Sequence, residues 1–170
     1  MWPFKRWRER AEVRAAFMKY LAPDLVARLA SSSGPLRPQV ERADLCFILL
    51  QVRDDPADQV PAHLARAFDI VLRQNGTICD IMCSMVTVVF GHPIPEAPER
   101  SNDHRAESVA RLMSELGANI RLVHGTTEGL IGNVGSPHRF HWGPLLSGFA
   151  RYITALTALE FGQSAEIRPT

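Results

Sequence analysis

Residues 75–91 read NGTICDIMCSMVTVVFG, and the parsing of this stretch decides the fold. Asn75-Gly76 is a turn signal that ends whatever precedes it. Thr77–Met82 and Met85–Phe90 are short, largely apolar runs rich in β-branched residues, with only Cys83 and Ser84 between them. That pattern is a tight β-hairpin. Its tip carries neither an acid nor a glycine, so the sequence poses the question of what a bare Cys-Ser does there.

Upstream of the hairpin, Leu45–Val52 reads LCFILLQV, apolar at both parities. This is a strand covered on both faces, hence a central one. Asp54-Asp55-Pro56 ends it and supplies a cap for a helix over Ala57–Gln74, whose buried stripe is Leu64, Phe68, Val71 and Leu72. Asn75-Gly76 closes that helix through a left-handed residue. Downstream, Gly91–Asn102 is a proline-rich loop. The spacing of Val109, Leu112, Met113 and Leu116 predicts a helix over Asp103–Leu116. Strands are expected at Asn119–His124, Gly129–Val134 and Phe140–Leu146, then a helix over Leu146–Glu160 that Gly148 weakens. The order is βαββαβ with additions. It predicts an α+β, ferredoxin-like fold in which an antiparallel sheet carries its helices on one face.

The chain has 170 residues, 46% hydrophobic and 22% charged, which suits one globular domain with a sizeable core. Residues 1–43 read as a helical lead-in and linker, with helices at Arg8–Leu21 and Pro23–Ala30 followed by Ser31-Ser32-Ser33-Gly34-Pro35. Residues 44–170 form the domain proper. A net charge of +1 offers no field for nucleic acid. No apolar run approaches the ~18 residues of a membrane span. Cys46, Cys79 and Cys83 are odd in number and lie in or beside apolar strands, as reduced thiols of a cytoplasmic protein do. The N-terminus, MWPFKRWRER, lacks the apolar core of a secretory signal. Its aromatics either dock on the domain or a partner, or give a weak contact with a membrane surface.

The element order and several strings resemble the class III nucleotide cyclase homology domain. RAAFMKYLAPDLVARL is similar to the segment before many bacterial cyclase domains, and NGTICDIMCSMVTVVFG to the family's "GGt.dKfiGDaimavFG". EGLIGNVGSPHRFHW is similar to "GevvvGNiGs..R.dY". The resemblance runs from about Phe17 to Leu159, with GNVGSP and VVFG its most specific strings. It implies head-to-tail dimers that turn ATP or GTP into the 3′,5′-cyclic nucleotide, using two divalent metals held by two Asp carboxylates.

The positions that would carry that chemistry are changed. The first metal Asp falls on Gln51, a neutral amide, and the second, in the hairpin turn, on Ser84 beside Cys83. A hard cation such as Mg²⁺ needs anionic oxygen, so the metal sites are expected to be lost, and no cofactor is expected. The purine-selecting Lys falls on Asp80, a reversal of charge, and its partner on Gly143. The ribose-orienting Asn falls on Ala150 and the phosphate-stabilising Arg on Thr154. The family's "rgFT" string and its phosphate-holding helix start are missing after Val52, and the chain ends at Thr170, before the family's last strands. His138 and His141 are spaced like a metal pair but have no third ligand nearby.

Some heterodimers of the family divide metal and purine residues between subunits; this chain lacks both sets. The expectation is a catalytically inactive dimerisation or regulatory module in intracellular signalling. It would pair with itself or with a signalling protein through Asn133, His138, Phe140, His141 and Trp142. Two alternatives remain at this level. One is a sensor of a nucleotide or small ligand, using a cleft made more apolar by the lost charges. The other is an active cyclase with Asp54, Asp55 or Asp80 as replacement ligands.

Overall fold

The structure is a computed structural model and describes residues 27, 40–93, 95–136, 139–146 and 148–168. The expected lead-in helices therefore lie outside the described residues, apart from Ala27, which is helical.

The described strands are β1 (Val40–Val52), β2 (Thr77–Met82), β3 (Met85–Phe90), β4 (Ile120–Ser136), β5 (Arg139–Leu146) and β6 (Ser164–Ile167). The helices are α1 (Val60–Arg73), α2 (Pro98–Leu116) and α3 (Phe149–Ala158). The sheet order is β2-β3-β1-β4-β5, with β6 pairing β4. Each neighbour on the main path is antiparallel; only β6 runs parallel to its partner. The expected α+β, ferredoxin-like βαββαβ arrangement is the one observed.

β1 is central because its two parities feed two cores. Cys46, Ile48, Leu50 and Val52 pack with Ala67, Ile70 and Val71 of α1 and with Leu112 and Leu116 of α2. Leu45, Phe47 and Leu49 pack on the other side with Tyr152 and Leu156 of α3. Phe47 and Tyr152 meet with ring centroids 4.7 Å apart. The helices of the βαββαβ unit thus share one face, as expected, while the appended α3 covers the other. At roughly 1.5–3 kcal/mol per fully buried aliphatic or aromatic side chain, these two layers supply most of the driving force for folding.

The hairpin strands have the limits read from the sequence, and β1 is longer, starting at Val40 rather than Leu45. Its first residues are exposed and mostly polar, so they carried no strand signal. The strands expected at Asn119–His124 and Gly129–Val134 are one strand, β4. Gly125 between them is no breaker but a site of close approach. A Cβ there would stand 2.1 Å from the carbonyl oxygen of Ile167 in β6. Asp54 and Asp55 do not cap α1: a 3₁₀ turn at Ala57–Gln59 intervenes, and neither it nor α1 has a side-chain cap. α1 ends as expected, with Asn75 at φ 56.

Candidate functional site

The hairpin turn and the end of β1 lie side by side. β1 pairs β3 in a register that sets Gln51 opposite Met85, and it pairs β4 so that Gln51 is opposite Arg121. Cys83 takes φ 56, a backbone that favours glycine, and its side chain is exposed. Ser84 turns inward and is 5% exposed. Its backbone carbonyl accepts the Val52 N–H at 2.9 Å, which ties the turn to β1.

Gln51 and Ser84, the positions of the two metal acids in the resemblance, are in contact. Gln51 Nε2 donates to Ser84 Oγ at 3.3 Å. The other end of the carboxamide is taken by a cation: Arg121 donates to Gln51 Oε1 through Nε at 3.0 Å and Nη2 at 2.7 Å. Arg121 Nη1 reaches the carbonyls of Thr157 and Leu159 at 3.1 and 2.8 Å, at the C-terminal end of α3, where positive charge is favoured. Phe161 lies under this guanidinium at 5.0 Å and under that of Arg53 at 4.4 Å. The donor set suits Mg²⁺ or Mn²⁺ poorly. It offers an amide oxygen already engaged by two N–H groups, one hydroxyl, no carboxylate, and a fixed positive charge. Among the described residues no group of three His, Cys, Asp or Glu could hold a metal ion.

The remaining positions are spread around this point. Asp80 is exposed on β2, its Oδ1 accepting the Ile81 N–H at 2.9 Å. Gly143 is buried in β5 opposite Gly132. Ala150 and Thr154 lie one turn apart on the exposed side of α3, where Thr154 Oγ1 donates to the Ala150 carbonyl at 3.0 Å. Asp54 and Asp55 are exposed in the connection after β1. For the expected interface, β4 and β5 form a hairpin that sets Asn133 opposite Trp142, with Phe140 and His141 next in the ladder. His138 lies outside the described residues.

Sequence reading missed Arg121, because nothing in one sequence says which strand residue will stand opposite Gln51. It also missed a polar cluster between α2 and the sheet. Arg105 and Ser108 are buried on α2, and Arg105 Nη2 donates to Glu166 Oε1 on β6 at 3.1 Å. Arg105 Nε and Nη1, Ser108 Oγ and His124 Nδ1 have no hydrogen-bond partner among the described residues. Burial and then the Arg105 charge push the His124 imidazole below its usual pKa, with Glu166 opposing. The helical spacing of Ser101, Arg105, Ser108 and Leu112 was visible, but polar residues do not announce a buried stripe.

No protein-family model matches the sequence, and no curated protein matches it. Solved structures do. The adenylyl cyclase CyaB from P. aeruginosa superposes with a TM-score of 0.65 at 16% identity, covering 74% of this chain and 77% of that one. The guanylyl cyclase Cya2 gives a TM-score of 0.55 at 17% identity, covering 73% and 74%. A bacterial light-regulated adenylyl cyclase gives 0.66 at 12% identity; it covers 91% of this chain, which spans 51% of that protein. The fold is that of class III nucleotidyl cyclase domains.

Proposed function

We propose that this cyclase-fold chain makes no cyclic nucleotide and acts by association, as a homodimer or as one partner of a heterodimer with a signalling protein. The observation that carries this reading is the guanidinium of Arg121, clasped by Gln51 and the end of α3. A metal at this point would need carboxylates to gather it, and it would meet a cation instead. Absence of the acids alone would leave a site that two substitutions, at Gln51 and Ser84, could supply with carboxylates. Here a positive group is also built into the same hydrogen-bond network as Gln51 and Ser84, so loss of the acids and gain of internal structure go together.

What the chain keeps is scaffold and apolar surface. Ile81, Met82 and Leu145 are 41, 46 and 55% exposed, on β2 and β5 at the two ends of the sheet. With the β4–β5 hairpin they form the surface we assign to pairing. Among the cyclase domains of similar fold, one is described as a non-canonical dimer and another as a monomer, so the fold alone does not fix the state. Light scattering on the purified chain tests the association: a dimer mass is expected, and Met82→Glu should shift it toward the monomer. A wild-type chain that stays monomeric at high concentration and captures no partner would overturn this reading.

A further inference from the structure

A cavity of about 340 Å³ opens on the α3 side of the sheet, lined by Asp80, Thr87, Pro144, Leu145, Leu146 and Phe149. A bulge in β2 puts Asp80 there. Ile78 pairs Val88 and Asp80 pairs Thr87, which leaves Cys79 with no residue opposite. Ile78 belongs to the core under α1 and α2, and Cys79 to the core under α3. Strict alternation would return Asp80 to the α1 side, into an apolar core. The extra residue keeps it on the side of Cys79, where its carboxylate meets the cavity.

The chemistry of the cavity is simple. Four of its lining residues are apolar, and one of these, Phe149, is aromatic. Its one charge is Asp80, which forms no ion pair among the described residues and whose Oδ1 accepts only the neighbouring Ile81 N–H. An unpaired carboxylate beside apolar walls and a ring attracts a cation that can desolvate, and it repels phosphate. The volume lies at the lower end of the range for small-molecule sites.

We infer that this cavity binds a small organic cation, an ammonium group carried on an apolar or aromatic body of on the order of ten non-hydrogen atoms. The ammonium pairs with the Asp80 carboxylate, and the body lies against Leu146, Pro144 and Phe149. Leu145 belongs both to this cavity and to the surface assigned to pairing, so the titration is run on the monomeric Met82→Glu chain as well as on the wild type.

Calorimetric titration of the full chain with 2-phenylethylammonium tests it, with 2-phenylethanol and phenylacetate as the neutral and anionic isosteres. The amine is expected to bind saturably in the millimolar range or tighter, at least tenfold more tightly than the alcohol, and the acid not at all. Asp80→Asn should weaken the amine at least tenfold and leave the alcohol unchanged. Because Asp80 is exposed, this variant keeps the wild-type circular dichroism. Equal affinity for amine and alcohol, an amine affinity untouched by the variant, or no saturable amine binding would each overturn the assignment. A dimer that binds no amine would remove this site and leave the association reading standing.

Discussion

Gln51 and Arg121 stand directly opposite one another on β1 and β4, and two N–H groups of the guanidinium, at 3.0 and 2.7 Å, close on the one carboxamide oxygen. The pair is neutral on one side and cationic on the other, and it is anchored at both ends, by Ser84 and by the last carbonyls of α3.

That anchoring predicts how metal binding can be built. Gln51→Asp with Ser84→Asp restores two acids but leaves the cation, so the new carboxylate at 51 should pair with Arg121 and Mn²⁺ should still not bind. Adding Arg121→Met should allow binding, read by calorimetry or by Mn²⁺ electron paramagnetic resonance. Tight Mn²⁺ binding by the double variant would show that Arg121 is no obstacle. The single variant Arg121→Met should cost about 2 kcal/mol in urea unfolding, through lost charge-assisted bonds.

The hairpin tip should be strained at Cys83, whose φ of 56 suits glycine. Cys83→Gly is expected to raise stability by roughly 0.5–1 kcal/mol, and Cys83→Val to lower it by a similar amount or more. Thermal unfolding of the two variants beside the wild type decides this; a destabilised glycine variant would contradict the turn geometry.

Thiol reactivity should separate the cysteines. Burial raises the Cys46 thiol to about 11, against the opposing pull of Arg105 and Thr126, and burial pushes Cys79 up further still. Cys83 is exposed. At about pH 8 an aromatic disulfide reagent should label one thiol per folded chain quickly and all three only after unfolding. Rapid labelling of Cys46 or Cys79 in the folded chain would contradict the cores described above.

Sheet closure should depend on Gly125. Gly125→Ala places a methyl group 2.1 Å from the Ile167 carbonyl oxygen, a backbone atom that cannot swing aside. The expected cost is roughly 1–3 kcal/mol, with loss of hydrogen-exchange protection confined first to Ser164–Ile167. An unchanged exchange pattern would mean that β6 does not lie where it is described.

The hairpin and Gly125 mark what a local sequence pattern specifies and what it leaves open. The hairpin was legible to the residue, because short β-branched runs on either side of two residues have one compact solution. β1 was legible as central from its double-sided apolar run, and both cores follow from its two parities. Gly125 looked like a break between strands because a glycine called for by a neighbour's backbone is indistinguishable from one that ends a strand. Of the candidate site, the sequence shows directly that positions 51 and 84 carry Gln and Ser and no acid. Arg121 and the bulge that aims Asp80 could not be read this way, since cross-strand register and a one-residue slip leave no local pattern.

Stability should also fall with acid below neutrality. His124 is held below its usual pKa by burial and by Arg105 on α2, with Glu166 on β6 opposing, and Cys46 on β1 lies in the same Arg105 field. His92 is lowered by burial, with Glu41 opposing. For each of these two histidines, the unfolded chain binds a proton that the folded chain resists, so unfolding free energy rises with pH over this window. It should therefore decline between about pH 7 and pH 5. His124→Gln should flatten part of that decline and His92→Gln another part; slopes unchanged in both would contradict these assignments.

The central claim is that this cyclase fold performs no cyclisation. Incubating the purified chain at high concentration with ATP, and separately with GTP, in the presence of Mn²⁺, and measuring cyclic nucleotide by mass spectrometry, tests it most directly. No 3′,5′-cyclic product above the protein-free blank is expected with either nucleotide. Robust turnover with either one, lost when the protein is denatured beforehand, would contradict it.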